Sequence, residues 1–375
     1  MVARASVECV RTTRKALVGA MIAVTTVAAL ISSSGVAGAA PVTDPVLQQD
    51  VNAVQAAGAP GVLLRVTDNG VVTQYRAGTT VLGTNQPVPF DARFRIGSVT
   101  KMFTATVVLQ LVAQGRVDLD APVARYLPGL LPDGDAITVR MILQHTSGLH
   151  DYTDDLPSDN AQVVATRFEH WDARHQVAAA GAVPLLFTPG TNWSYSNTNY
   201  LVAGLLITAV TGRSWQTEVT DRIIRPLRLT STYAPGDDPF IPGPHPHGYV
   251  VVGDQPVDIS VLNPTVAGAA GGLISSTADL DTFLTAQLRG TLLPPAELAE
   301  IETPNPFTHD YGIGMQILTM PCGITVYGHE GGIYGYSDFV LSTLDGSRRV
   351  EAMVTTANGP TGAVGETLLE DALCR

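Results

Sequence analysis

The stretch that decides the fold is FRIGSVTKMF, residues 94–103. Its pattern predicts the entrance to an α-helix, followed by a run that is apolar almost all round until Gly115. A helix that is hydrophobic on every side is buried in a protein core. Ser98 and Lys101 are three residues apart, so they are expected to share one face of this helix near its first turn.

Ser98 and Lys101 have two interpretations. A lysine buried beside a serine has a lowered pKa and can take the hydroxyl proton, which makes Ser98 a candidate nucleophile. The backbone N–H of Ser98 at the helix start could then help to hold an oxyanion. In the alternative, Ser98 caps the helix and Lys101 extends towards water. Because S-x-x-K recurs by chance, the rest of the chain must decide between them.

Composition limits the class of protein. The 375 residues contain 22 Lys and Arg against 34 Asp and Glu, a net charge of −12. This balance argues against nucleic acid as a partner. The hydrophobic content of 45% is enough for a sizeable core.

The N-terminal 39 residues have the pattern of a secretory signal peptide. Basic residues precede an apolar run over 16–30, and Ala37-Gly38-Ala39 forms a cleavage site. The alternative is a membrane anchor, but the run is short. We therefore expect a secreted, monomeric protein of residues 40–375 that does not span a membrane. Cys9 leaves with the signal, and Cys322 and Cys374 are predicted to form a disulfide, with two free buried thiols as the alternative.

The order of patterns along the chain predicts an α/β fold. Strand patterns and hairpin turns occur in the first third and again after residue 268, where strands are predicted at 271–274 and 311–318 among others. Helical patterns separated by Pro- and Gly-bearing loops occupy residues 118–265. We expect one antiparallel sheet flanked by helices, made from both ends of residues 40–375, with an all-helical subdomain inserted at about 118–265.

Two further stretches are typical of site chemistry. Tyr195 and Asn197 follow the Pro189-Gly190 turn and precede an apolar helix. A tyrosine near a lysine can share proton transfer, and an asparagine can bind a substrate amide. The alternative is a helix-capping loop.

The second stretch, His329-Glu330-Gly331-Gly332, is predicted to end a strand that begins near Ile324. Its glycines would let substrate lie against the strand, His329 would project into the site, and the Gly332 N–H would be a second oxyanion donor. The alternative is a glycine-rich bulge with a surface histidine. No residue set with metal-ligand spacing or cofactor fingerprint is found in the sequence, so no metal or cofactor is expected.

The ordered set Ser98-x-x-Lys101, Tyr195-x-Asn197 and His329-x-Gly331 resembles the three motifs of the penicillin-recognising serine hydrolases, the class C β-lactamases and D,D-peptidases. The likeness is strongest to the secreted D-alanyl-D-alanine carboxypeptidases of actinomycetes. It implies the β-lactamase/transpeptidase-like fold, with Ser98 as nucleophile and Lys101 and Tyr195 as the proton-transfer pair.

The same resemblance implies the rest of the site. Asn197, His329, Glu330 and Gly331 would bind substrate, and the N–H groups of Ser98 and Gly332 would form the oxyanion hole. Expected ligands are small peptides or esters and β-lactams. The chain departs from those carboxypeptidases where they bind a terminal carboxylate: Glu330, Gly332 and Gln316 replace hydroxyl residues and an arginine. An esterase, amidase or β-lactamase, or a non-catalytic binding module, are therefore the alternatives.

Overall fold

The computed structural model describes residues 43–356 and 362–375; the predicted signal peptide lies outside them. The strands of the described chain are β1 (Gly61–Asp68), β2 (Val71–Gly78), β3 (Phe94–Arg95), β4 (Tyr249–Val252), β5 (Gln255–Asp258), β6 (Ile274–Ser275), β7 (Gln316–Thr319), β8 (Thr325–Ile333), β9 (Tyr336–Thr343) and β10 (Arg348–Thr355). Six of them form an antiparallel sheet in the order β2-β1-β10-β9-β8-β7. The N-terminal hairpin thus pairs with the C-terminal strands, as the sequence predicts.

Helices cover both faces of this sheet. The α-helices of the described residues are α1 (Pro45–Ala56), α2 (Thr100–Ala113), α3 (Val139–Leu143), α4 (Asn160–Thr166), α5 (Ala173–Gly181), α6 (Asn197–Thr211), α7 (Trp215–Val219), α8 (Arg225–Leu227), α9 (Gly268–Gly271), α10 (Thr277–Leu288), α11 (Pro295–Glu302) and α12 (Gly362–Cys374). Within the residues that the structure describes, no helix is both long and apolar enough to cross a bilayer.

Alternation along the central strands creates two cores. On β9, Val340 belongs to the larger core with α2, α6 and α10, whereas the next residue, Leu341, belongs to a smaller core with α1 and α12. Successive strand residues point to opposite faces, so both faces of the sheet are covered. The observed architecture is the α/β fold with an antiparallel sheet flanked by helices that the sequence predicts.

The helix that carries Lys101 is the centre of the larger core. Eleven of the fourteen residues of α2 are buried, which agrees with its apolar sequence. Ser98 lies just before α2, in a 3-10 turn over Gly97–Val99, and not in the first turn of the α-helix itself. Against this turn pack β8, β9 and α9.

Four predicted elements differ from the structure. The strand predicted at residues 311–318 begins only at Gln316, because Gly314 has a φ of +71° that interrupts extended backbone. Residues 268–271 are helical, so the strand predicted at 271–274 is only β6, which pairs with β3 outside the main sheet. The β4–β5 hairpin lies within the region expected to be all helical. The strand predicted to end at the third motif instead continues through it to Ile333.

Candidate active site

Two separate segments meet at the hydroxyl of Ser98. Lys101 Nζ lies 2.9 Å from Ser98 Oγ, and the Tyr195 hydroxyl lies 2.9 Å from the same oxygen. Tyr195 comes from the loop before α6, and Asn197 is the first residue of that helix. The structure therefore brings together the hydroxyl, amine and phenol that the sequence singled out.

The amine of Lys101 is fully buried and has defined partners. Besides Ser98, its Nζ donates to Asn197 Oδ1 at 2.8 Å and to the Ala270 carbonyl at 2.9 Å. Burial disfavours the ammonium form and lowers the pKa of Lys101 to about 7, although the charge of Asp151 opposes this shift. A lysine with this pKa can exchange protons near neutral pH.

Aromatic packing fixes the Tyr195 side chain. Its ring stacks on the buried ring of His145 with the centroids 4.2 Å apart, and Lys101 Nζ lies 4.9 Å from its centroid. Burial raises the pKa of Tyr195, so the phenol keeps its proton at neutral pH, even though its hydrogen bond with Ser98 acts in the opposite direction. Tyr195 is thus arranged to donate a hydrogen bond to Ser98, while Lys101 is the better base.

Both ends of the Asn197 amide are occupied. Oδ1 accepts from Lys101, and Nδ2 donates to Asp151 Oδ2 at 2.9 Å. Asp151 is partly buried, and its other oxygen accepts from the Thr153 N–H. Sequence analysis did not identify Asp151 as a site residue, but the structure connects it through Asn197 to Lys101. The N-cap pattern of Asp151 was the available signal.

Two close backbone approaches bring β8 against the Ser98 turn. Gly97 has a φ of +43°, and a Cβ placed on it would lie 2.6 Å from both the N and the O of Gly332. A Cβ on Gly331 would lie 2.3 Å from the Ile96 carbonyl oxygen. Only glycine fits at positions where two backbones meet so closely. The Gly332 backbone therefore lies directly beside the residue that precedes Ser98.

His329 is buried in the protein interior near Tyr195. Its ring is 1% exposed and hydrogen-bonds through Nε2 to the Tyr311 hydroxyl at 3.0 Å. Burial and the neighbouring Lys101 charge lower its pKa to about 3, so the imidazole is neutral at physiological pH. Tyr311 also lies 3.2 Å from His145 Nε2, which links the second and third motif regions. Sequence reasoning missed Tyr311, because an isolated tyrosine carries no motif.

Glu330, the next residue of β8, is exposed, whereas His329 is buried. Its N–H donates to Gln316 Oε1 at 2.9 Å, and Gln316 Nε2 donates back to Glu330 Oε1 at 3.3 Å. This pairing places an amide and a carboxylate side by side on the neighbouring strands β7 and β8.

Two cavities flank Ser98, and both include Ser98 and Gly332 in their walls. The Tyr195 cavity has a volume of about 480 Å³, and its other walls include Trp193, Tyr195, Asp310, Tyr311, Gln316 and Glu330. The Asn197 cavity has a volume of about 260 Å³, and its walls include Asn197, Tyr152, Leu156, Val266, Ile333 and Tyr334. Among the described residues, neither cavity has a lysine or arginine in its wall.

The predicted disulfide is present, and neither of its cysteines belongs to the walls of these two cavities. Cys322, in the turn between β7 and β8, is bonded to Cys374 at the end of α12. It joins an edge of the sheet to the last helix.

Fold and site together define a serine hydrolase of the penicillin-recognising type, with serine, lysine and tyrosine at its centre. The beta-lactamase family model matches residues 47–373, and the chain belongs to that family. The resemblance stated from the sequence motifs is therefore confirmed.

Similar proteins within this group have diverse names. The chain is 29% identical to penicillin-binding protein 4 of Amycolatopsis lactamdurans, over 79% of this chain and 80% of that protein. A solved D-stereospecific amidohydrolase from Streptomyces superposes with a TM-score of 0.80 at 37% identity, covering 88% of this chain and 99% of the other. A D-amino acid amidase from Ochrobactrum anthropi SV3 superposes with a TM-score of 0.77 at 26% identity, covering 87% and 96%.

Proposed function

We propose that the protein is a serine amidohydrolase that cleaves amides and short peptides of D-amino acids through a Ser98 acyl-enzyme. The observation that carries this proposal is the charge of the Tyr195 cavity, which has Asp310 and Glu330 in its wall and no lysine or arginine among the described residues. A terminal carboxylate needs a cation or a fork of donors. An amine or amide leaving group has no such need.

The position of Tyr195 indicates which cavity holds the leaving group. The leaving nitrogen must receive a proton, and the Tyr195 hydroxyl is the polar donor that faces the Tyr195 cavity beside Ser98. The acyl part would then occupy the Asn197 cavity. Its largely apolar wall, with Leu156, Val266 and Tyr334, suits an apolar side chain.

Acylation follows from the arrangement around Ser98. Neutral Lys101 takes the hydroxyl proton as Ser98 Oγ bonds to the substrate carbonyl carbon. The N–H groups of Ser98 and Gly332 would stabilise the oxyanion. When the C–N bond breaks, Tyr195 gives its proton to the leaving amine. Lys101 then gives a proton to Tyr195, which restores the phenol. The acyl group remains on Ser98.

Deacylation repeats these steps with water. A water molecule in the emptied Tyr195 cavity attacks the ester carbon, and Lys101 takes a proton from that water through Tyr195, which passes on its own proton as it accepts one. Lys101 then gives this proton to Ser98 Oγ as the C–O bond to the acyl group breaks. The D-amino acid is released. Preference for the D-configuration is supported by the two solved amidohydrolases that this chain resembles, whose names specify D-substrates.

A D-alanyl-D-alanine carboxypeptidase is the second candidate, since the chain is also similar to a penicillin-binding protein and carries the three motifs. The test compares kcat/KM for D-phenylalanine amide, L-phenylalanine amide, a D-Ala-D-Ala peptide and a short acyl ester. We expect the D-amide to be hydrolysed fastest among the three amides and peptides. Faster cleavage of the D-Ala-D-Ala peptide would reject the proposal in favour of the carboxypeptidase, and turnover of the ester alone would favour an esterase.

Ser98→Ala is the control for every substrate, because it removes the acylated oxygen while leaving the fold unchanged. It should abolish turnover and also labelling by a fluorescent penicillin. Rapid hydrolysis of the penicillin would indicate a β-lactamase.

We also propose that the protein is secreted after removal of residues 1–39. The disulfide between Cys322 and Cys374 supports an oxidising destination. N-terminal sequencing of protein from the culture medium tests this proposal, and a mature N-terminus at residue 40 is the expected result.

A further inference from the structure

A groove on the outer face of the sheet adjoins the Tyr195 cavity. It lies between β7, β8 and β9 on one side and α12 on the other, and its volume is about 370 Å³. Gln316, Leu318 and Glu330 belong to the walls of both spaces. We call it the outer groove. Because the two spaces share three residues, a group leaving the Tyr195 cavity along β7 enters this groove.

The outer groove has an apolar floor and an acidic rim. Phe339, Leu341 and Leu369 provide apolar surface. Glu366 and Glu370 on α12 are exposed and face the groove from the helix side, while Glu330 stands at the junction with the Tyr195 cavity. Within residues 43–356 and 362–375, no lysine, arginine or histidine belongs to its wall.

This combination is complementary to one kind of side chain. A lysine or arginine side chain has an aliphatic stem that packs on apolar surface and a cationic end that stays near water and carboxylates. A carboxylate-bearing group would be repelled by three negative charges, and a neutral apolar group would leave them without a counter-charge.

We propose that the outer groove is the subsite for the leaving group, and that it takes a cationic side chain on an aliphatic stem. This inference rests on the proposed function, because it assumes that the leaving group occupies the Tyr195 cavity. Preferred substrates would be D-aminoacyl amides of lysine or arginine residues. The released product would be a basic amino acid derivative or a basic peptide.

The test uses three leaving groups on one D-phenylalanyl acyl group: lysine amide, ε-acetyl-lysine amide and norleucine amide. The lysine and norleucine compounds differ in the charge, and the acetylated compound keeps the length without it. We expect kcat/KM to be about tenfold higher for the lysine compound than for either neutral one, the size expected for exposed carboxylates acting together. The preference should decrease as salt is added.

Glu366→Gln/Glu370→Gln should bring the lysine-to-norleucine ratio close to one. Asp133→Asn/Asp135→Asn removes the same charge from exposed positions in another part of the protein and should keep the ratio of the wild type. A wild-type ratio near one, or an unchanged ratio in the glutamate variant, overturns the assignment of the outer groove. If norleucine amide is still hydrolysed, the proposed function survives that result; no turnover of any of the three amides would reject the proposed function itself.

Discussion

The hydrogen bonds of Lys101 determine which atom it can deprotonate. Asn197 Oδ1 and the Ala270 carbonyl are acceptors only, so they hold the two protons that a neutral amine retains. The remaining lone pair is directed to the third neighbour, the Ser98 hydroxyl. The serine and lysine spacing predicted this pairing from sequence, and the Tyr195-x-Asn197 motif identified one acceptor, whereas the Ala270 carbonyl comes from a distant segment that carries no motif.

Asp151 should tune this amine electrostatically. Its negative charge favours the ammonium form, so Asp151→Asn should lower the pKa of Lys101 below its value of about 7. Protonated Lys101 cannot accept the Ser98 proton. In the wild type, kcat/KM should therefore fall about tenfold per pH unit below that pKa, and in the variant the fall should begin at a lower pH.

The pH profile of kcat/KM for amide hydrolysis checks this shift. Asp154→Asn is the matched control, because it removes a charge from an exposed position in the same loop and should leave the midpoint unchanged. Asp151→Asn also weakens the contact with Asn197, which lowers the maximal rate without moving the midpoint. A profile with reduced rate but the wild-type midpoint would contradict the electrostatic role.

At the level of elements, the sequence identified those helices and turns that are determined by neighbouring residues. Asp44 and Pro45 begin α1, and the Asn69-Gly70 turn joins β1 to β2 with both residues at positive φ. These features depend on neighbouring residues alone. The apolar sequence of α2 likewise predicts its burial without knowledge of the partners.

Elements that depend on distant contacts were not predictable in this way. The third motif lies inside β8 because Gly328, Gly331 and Gly332 pair with residues of β9. Glycine-rich sequence normally indicates the end of a strand, and tertiary pairing overrides that preference. The β4–β5 hairpin was missed for a related reason, since its four-residue strands are too short to show clear alternation.

The contact between the Ser98 turn and β8 gives a prediction for Gly97. Gly97→Ala would place a methyl group 2.6 Å from the Gly332 backbone and would also strain a φ of +43°. Displacing Gly332 would remove one of the two proposed oxyanion donors, so we expect kcat/KM to fall by roughly 10²–10³. Steady-state kinetics and urea unfolding of the purified variant measure the two effects separately.

Gly115→Ala is the matched control for backbone strain. Gly115 has a φ of +67° after α2 and open space around its Cβ position. This change should lower the free energy of unfolding by about 1–2 kcal/mol and leave kcat/KM unaltered. Equal losses of activity in the two variants would show that strain, and not the approach to Gly332, limits catalysis.

At the scale of the whole molecule, β8 belongs both to the candidate active site and to the central sheet, on whose packing the stability of the fold depends. β8 carries the third motif on its edge towards Ser98 and pairs with β9 along its length. Opposite Gly331 on β9 lies Asp338, which is fully buried and has no hydrogen-bond partner for either carboxylate oxygen among the described residues. Burial raises its pKa well above the ordinary value of 3.8. The centre of the sheet therefore contains a carboxyl group whose protonated form is favoured by burial.

This acid should make folding less favourable as pH rises. Above about pH 4 the unfolded chain releases the Asp338 proton while the folded protein keeps it, so the folded state binds more protons. The free energy of unfolding should then decrease with increasing pH by roughly 1 kcal/mol per unit, until the folded pKa is passed. Glu351 on β10, whose pKa is also raised by burial, adds to the same trend, although Arg65 and Arg349 oppose its shift.

Asp338→Asn removes the titration but keeps the size and polarity of the side chain. We expect the variant to match the wild type near pH 4 and to be more stable at pH 8, with a smaller slope between these values. Urea unfolding at a series of pH values measures this difference. Asp254→Asn, at an exposed position in the β4–β5 turn, should reproduce the wild-type slope. If Asp338→Asn also keeps the wild-type slope, then Asp338 must be ionised in the folded protein. The prediction that a protonated acid is buried opposite the third motif would then be wrong.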